Sequence, residues 1–260
     1  MKIAFGVEYC GIAYFGWQRQ EVSPTVQECV EAALSKVADE EITVHCAGRT
    51  DTGVHAIQQV IHIETDKQRD DHSWIFGANT YLPEDINLLW TRHVPEDFHA
   101  RFSATGRIYR YIILNRNTRS GLAAGRVTWE YKPLDERLMQ EAAECLVGEH
   151  DFTSYRAVAC QAKSPVRHVR KLEIKRQEDY IFLQIEADGF LQHMVRNIAG
   201  VLMTIGAGKA PVDWSKQVLD ACDRIEGGVT AAADGLYLVG IEYPDKYGIP
   251  KPDLSQCLYS

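Results

Sequence analysis

Residues 42 to 63 read Ile42-Thr43-Val44-His45-Cys46-Ala47-Gly48-Arg49-Thr50-Asp51-Thr52-Gly53-Val54-His55-Ala56-Ile57-Gln58-Gln59-Val60-Ile61-His62-Ile63. The two ends, 42–46 and 57–63, are rich in β-branched residues and read as strands. Between them lies a Gly-bounded loop that presents one carboxylate, Asp51. Arg49 stands two residues upstream, and a threonine hydroxyl stands on each side. Function concentrates on loops held by a rigid scaffold. A guanidinium close to a carboxylate favours its ionised form and can orient it. An ionised, aimed carboxylate suits a nucleophile better than a general acid. The competing reading is a plain structural turn, because Asp, Thr and Gly also satisfy turn amides.

Working outward, the segment Lys2 to Tyr9 alternates Ile3, Phe5, Val7 and Tyr9 and predicts a strand. Thr25-Val26-Gln27-Glu28 has the form of a capping box, and Val26, Cys29, Val30, Ala33, Leu34 and Val37 follow as one helical stripe. Residues 71–81 predict a helix ended by Pro83. Strands are expected over 86–94 and 107–114. The second half predicts a helix over 134–146 and a hairpin of 166–175 with 180–187, turning at Gln177-Glu178-Asp179. Helices over 192–207 and 214–222 and a closing strand over 236–243 complete it. Hairpins and helices mix without regular βαβ alternation, so the class is α+β with a mostly antiparallel sheet. A boundary near residue 105 gives an N-terminal part, 1–105, with the Asp51 loop, and a C-terminal part, 106–260.

The chain has 260 residues, 45% hydrophobic and 25% charged, ample for a core of ordinary globular type. No charged start followed by a long apolar run marks a secretory leader. The best apolar stretch, 198–205, is too short to span a bilayer. Seven scattered cysteines with no Cys-x-x-Cys argue against a disulfide framework and fit a reducing cytoplasm. Nine histidines show no metal-ligand spacing, so no metal is expected. The net charge of −8 argues against a nucleic-acid partner taken as a sum. Its distribution argues the other way. From Phe98 to Trp129 no acid occurs, while arginines stand at 101, 107, 110, 116, 119 and 126. Another acid-free run, 152–172, holds Arg156, Lys163, Arg167, Arg170 and Lys171, and a third, 189–212, holds Arg196 and Lys209. Arg107, Arg110, Arg167 and Arg170 are therefore candidate RNA-binding residues, since arginine suits bidentate phosphate binding.

Gly48-Arg49-Thr50-Asp51-Thr52-Gly53-Val54-His55-Ala56 resembles the active-site motif of the tRNA pseudouridine synthase A family. Ala100-Arg101-Phe102-Ser103-Ala104-Thr105-Gly106-Arg107-Ile108-Tyr109-Arg110-Tyr111 is similar to that family's second motif. Gly189-Phe190-Leu191-Gln192-His193-Met194-Val195-Arg196-Asn197-Ile198 is similar to its third. Tyr14 to Gln20 and the closing Gly235-Leu236-Tyr237-Leu238 match in family order, so the resemblance covers nearly the whole chain. Where the family often carries a Pro-bearing stretch, this chain has Ala231-Ala232-Ala233-Asp234. The resemblance implies two related subdomains sharing one mostly antiparallel central sheet flanked by helices, with a cleft between them for RNA. It implies isomerisation of uridine to pseudouridine at positions 38, 39 and 40 of the tRNA anticodon stem-loop, by a homodimer.

Such a reaction produces an isomer, so its stoichiometry calls for no cofactor. The resemblance makes Asp51 the catalytic carboxylate, attacking C1′, attacking C6, or taking the 2′ proton. A target uridine in an RNA stem must be swung out and is commonly stacked on an aromatic ring. By its place in the second motif Tyr109 is that ring. Alternation alone would put Tyr109 in the core. Arg196 either reaches solvent from a helix end or pairs with Asp51 or a phosphate, and Arg49 has the same two readings. Asp51-Thr52-Gly53 is also the aspartic-protease triplet, but that site needs two carboxylates sharing a proton, and the chain has one such triplet. A non-catalytic RNA-binding module explains the arginines and leaves the Asp51 loop without a role.

Overall fold

The computed structural model describes residues 1–252. The chain adopts the expected α+β class, a large, mostly antiparallel sheet flanked by helices. In chain order the main elements are β1 (Lys2–Tyr9), α1 (Val26–Ala38), β2 (His45–Cys46), β3 (His55–Glu64), α2 (Asp71–Tyr81), β4 (Ile86–Val94) and β5 (Gly106–Asn115). They continue as β6 (Thr128–Glu130), α3 (Glu136–Ala143), β7 (Gly148–Asp151), β8 (Val166–Gln177), β9 (Tyr180–Ala187), α4 (Met194–Gly206), α5 (Trp214–Ala221) and β10 (Leu236–Glu242). The backbone clusters into two compact units, one of Met1–Gly106 with the segment from Tyr237 onward, the other of Arg107–Leu236.

In the first unit β1 is central, antiparallel to β3 on one side and to β4 on the other. β10 joins β3 in parallel, with Tyr237 opposite His55. The inward side chains of β1 (Ile3, Phe5, Val7) are fully buried, and Trp74 of α2 packs edge-on against Phe5 with ring centres 5.9 Å apart. α1 begins where the Thr25 hydroxyl accepts the Glu28 amide at 3.4 Å. Its buried stripe runs through Val26, Val30, Ala33, Leu34 and Ala38. Lys2, 8% exposed, reaches the Glu96 and Phe98 carbonyls at 2.9 and 3.0 Å, which keeps a buried ammonium solvated by backbone.

The strand expected over 42–46 is a correction. Only His45 and Cys46 pair with β3. The amide of Ile42 goes to the Ser35 hydroxyl at 2.9 Å and that of Val44 to the Glu31 carboxylate at 3.1 Å. Side chains of α1 thus take the donors a ladder would have used.

In the second unit the order is β5-β9-β8-β7, with β6 parallel to β5. Ile181, Leu183, Ile185 and Ala187 of β9 are fully buried, while the residues between them are half-buried. A bulge at Arg170 interrupts the β8–β9 register between Val169 and Lys171. Such a bulge re-aims the extra side chain. α3 starts two residues later than expected because the Asp135 carboxylate caps Arg137 and Leu138, and its last turn tightens into a 3₁₀ turn over Glu144–Leu146. The short β6 and β7 carry no alternation long enough to read. Trp17 and Trp74 are buried, whereas Trp129 is exposed and donates to the Arg116 carbonyl at 2.9 Å. Six cysteines are free among the described residues; Cys257 lies outside them. No helix among the described residues is long and apolar enough to cross a membrane.

Candidate active site

The Asp51 loop is pinned at its start, middle and end by groups of the first unit. At the start the fully buried Gln59 side chain donates to the Gly48 carbonyl at 2.5 Å and accepts the Gly48 and Val60 amides at 3.3 and 3.2 Å. The Ala47 amide donates to the Val60 carbonyl at 2.8 Å. In the middle the buried Thr50 hydroxyl bonds the Tyr9 hydroxyl at 2.7 Å, and the Thr50 carbonyl accepts the Trp17 amide at 3.1 Å. At the end the Val54 amide closes a turn on the Asp51 carbonyl at 3.1 Å, with Gly53 at φ +78°. The Gly53 amide reaches the Tyr14 carbonyl at 3.4 Å.

The loop also lies directly on the segment after β1. Gly16 sits at φ +88°, and a Cβ there would come within 2.6 Å of the Thr50 carbonyl. A Cβ on Gly11 would overlap the Val54 carbonyl. The Gly11 amide donates to Nδ1 of His55 at 3.1 Å, so that ring nitrogen acts as an acceptor. His55 is buried and stacks on Tyr237 at 4.6 Å. The outcome is a half-buried Asp51 side chain on a backbone with few degrees of freedom left. Fixing a reacting group in this way removes entropy and reorganisation from a reaction barrier. Arg49 is exposed on the same loop.

The second unit carries the other candidates. Tyr109, on β5, is 9% exposed and meets Phe190 edge-on with ring centres 5.1 Å apart. Arg107 shares the Tyr109 face of the strand and donates to the Asp188 carbonyl at 2.8 Å. Arg167 packs along Gly189 and donates to the Ser164 carbonyl at 3.0 Å. Tyr109, Arg107 and Arg167 therefore gather around the Asp188–Phe190 turn. Arg170, at the bulge, is exposed. Arg110 points to the opposite face, where it bonds Gln184 at 3.0 Å and lies over the Phe182 ring.

Arg196, in the first turn of α4, anchors the stretch in which this chain lacks proline. Its Nε donates to the Ala231 carbonyl at 2.8 Å, and the Ala231 amide returns to the Arg196 carbonyl at 3.1 Å. The Val229 carbonyl presses on Gly200, where any side chain would collide with it. The Tyr111 hydroxyl donates to the Ala232 carbonyl at 2.8 Å. Burial holds the Tyr111 phenol well above its usual range, so it stays protonated as that donor. Buried Asn197 donates to the Tyr155 carbonyl at 2.7 Å and accepts the Thr230 hydroxyl at 2.6 Å. Sequence reasoning singled out neither Gln59, Thr50 nor Asn197 as supports. Gln59 alone left a signal, a polar residue inside an apolar strand. No group of three or more His, Cys, Asp or Glu side chains able to hold a metal occurs among the described residues.

A family model described as tRNA pseudouridine synthase matches residues 6–103 and 142–244. A tRNA pseudouridine synthase A of Legionella pneumophila (strain Corby) is 55% identical over 249 residues, covering 96% of this chain and 95% of the relative. One of Nitrosococcus oceani is 55% identical over 251 residues, covering 96% and 97%. One of Escherichia coli O1:K1 / APEC is 52% identical over 253 residues, covering 97% and 94%.

Proposed function

The chain belongs to the tRNA pseudouridine synthase family, and from that premise we propose that it isomerises uridine to pseudouridine in the anticodon stem-loop of tRNA, at positions 38, 39 and 40. The observation that carries the reading is the loop itself: one carboxylate, Asp51, on a backbone pinned at Gly48, Thr50 and Val54. In the reaction the N1–C1′ bond breaks, the base turns over, and C5 bonds to C1′. C5 loses its proton and N1 gains one, so nothing is consumed. Asp51 starts this sequence as the catalytic carboxylate. The base leaves without being replaced by water, which is why one carboxylate serves where a glycosidase uses two.

Tyr109 supplies the ring on which the extruded base stacks and helps remove the C5 proton. Its orientation is fixed by Phe190. Arg49 and Arg196 serve the reacting nucleotide, and Arg107, Arg167 and Arg170 bind phosphates, while Arg110, held by Gln184 and Phe182 on the other face of β5, does not join Arg107 in that role. Residues 1–105 supply the carboxylate loop, and 106–260 supply Tyr109 and most of the arginines. The active unit is a homodimer in the cytoplasm; closed two-fold dimers are the commonest oligomer. Tritium release from tRNA labelled with [5-³H]uridine tests the activity directly, because only loss of the C5 proton frees the label. Light scattering at the assay concentration tests the dimer. Absence of release from a folded protein would overturn the assignment.

A further inference from the structure

Phe102 is 76% exposed, yet the turn that carries it is tightly built. The Ser103 amide donates to the His99 carbonyl and the His99 amide to the Ser103 hydroxyl, both at 2.9 Å. His99 Nδ1 accepts the Arg101 and Phe102 amides at 3.1 and 3.4 Å. The His99 ring lies against Phe102 with centres 4.4 Å apart, and His62 and His45 continue the cluster at 4.7 and 5.6 Å from His99. A large apolar ring is thus ordered and presented to solvent, at a cost in hydration that a soluble surface does not need.

Its flanks are cationic. The Arg101 guanidinium stands 5.6 Å from the Phe102 ring centre. The Cys46 thiol nearby is pushed up to about 11 by desolvation, a rise that Arg49 and Arg101 oppose. Glu64, the acid that His99 senses, is already paired with Lys2 at 3.2 Å. His99 itself stays neutral through burial and through its neighbours His45, Lys2 and Arg101. An exposed ring with a guanidinium against it matches the chemistry of an aromatic base attached to a phosphate.

We propose that Phe102, with Arg101 against its ring, is a stacking site for one unpaired nucleotide of the substrate RNA, distinct from the uridine on which Asp51 acts. The assignment rests on the reading of the chain as an RNA isomerase.

The test places p-benzoylphenylalanine at position 102 of the full chain, irradiates it with unmodified transcribed tRNA, and maps the adduct by primer extension. Phe102→Leu and Phe102→Trp are titrated with the same tRNA. The expected result is an adduct confined to one nucleotide of the anticodon arm. Binding should be weakened roughly fivefold to a hundredfold in Phe102→Leu and retained in Phe102→Trp. An adduct to a second copy of the chain, no RNA adduct, or wild-type affinity in Phe102→Leu would overturn it. If wild type releases tritium from labelled tRNA while Phe102→Leu binds normally, the stacking site alone falls. If wild type neither binds nor isomerises tRNA, the underlying reading falls with it.

Discussion

The role proposed for Asp51 is one that an amide of nearly the same size cannot fill. Asp51→Asn should therefore abolish tritium release and leave urea stability and tRNA affinity near wild type. Substantial turnover by that folded variant would remove Asp51 from the chemistry. Gly16 is the complementary case, a residue with no chemistry that decides where the carboxylate sits. At φ +88° an alanine costs about 1–2 kcal/mol by conformation alone, and its Cβ would push on the Thr50 carbonyl next to Asp51. Gly16→Ala should lower kcat/KM by about a hundredfold, since displacement of a reacting group by about 1 Å has that effect. Unchanged kinetics would show that the loop does not depend on this close approach. Asp51 was legible as a lone carboxylate between two short-range turn signals. Of the groups that hold it only Gln59 left a trace, because Thr50 with Tyr9 and the Gly11–His55 bond act across the fold and follow no period.

Elements with their own start and stop signals were read residue for residue. β1, α2 and β4 have the bounds that alternation, helical pattern and Pro83 predict, and the Asp70 carboxylate caps α2 in the structure. The 42–46 segment failed because its strand-like composition competes with acceptors on α1, and composition does not report a neighbour's side chain. α4 supplies a sharper case. In an ordinary helix Gly→Ala gains about 1 kcal/mol. At Gly200 the added methyl would meet the Val229 backbone carbonyl, and relief requires moving the 229–231 segment that Arg196 clamps. Gly200→Ala should thus destabilise the protein by about 1–3 kcal/mol, against the sign of helix propensity. Urea titration decides it, and a more stable variant would mean that the segment is free to shift.

Over the whole molecule, charge is the first matter. The net charge of −8 would repel RNA, so binding must come from local basic surface. Affinity for tRNA should fall steeply with salt, and Arg167→Glu with Arg170→Glu should weaken binding alike across anticodon sequences. The log–log salt slope should drop by about 0.7–0.9 for each phosphate that the protein no longer neutralises. Weakening confined to one anticodon would contradict a docking role. The histidine cluster sets a second global property. Burial, then His99 and His45, lower His62 to about 3. Between pH 6.5 and 3 the unfolded chain binds this proton and the folded one does not, so stability present above pH 6.5 is lost as pH falls. The loss should be about 1 to 2 kcal/mol by about pH 5, allowing for screening. His62→Asn retains an acceptor for the Ala100 amide, and its stability should vary less over that range. Equal slopes for the two proteins would discount the cluster.

The chain's first compact unit is discontinuous, and this gives its manufacture a direction. Arg107–Leu236 is an unbroken stretch, while the first unit is completed only when β10 joins β3. Until Tyr237 and Leu238 arrive opposite His55 and Ala56, β3 keeps an open hydrogen-bonding edge at the end of the Asp51 loop. The part synthesised first is then the part finished last, and until it is finished the strand edge beside the Asp51 loop stays open to wrong partners.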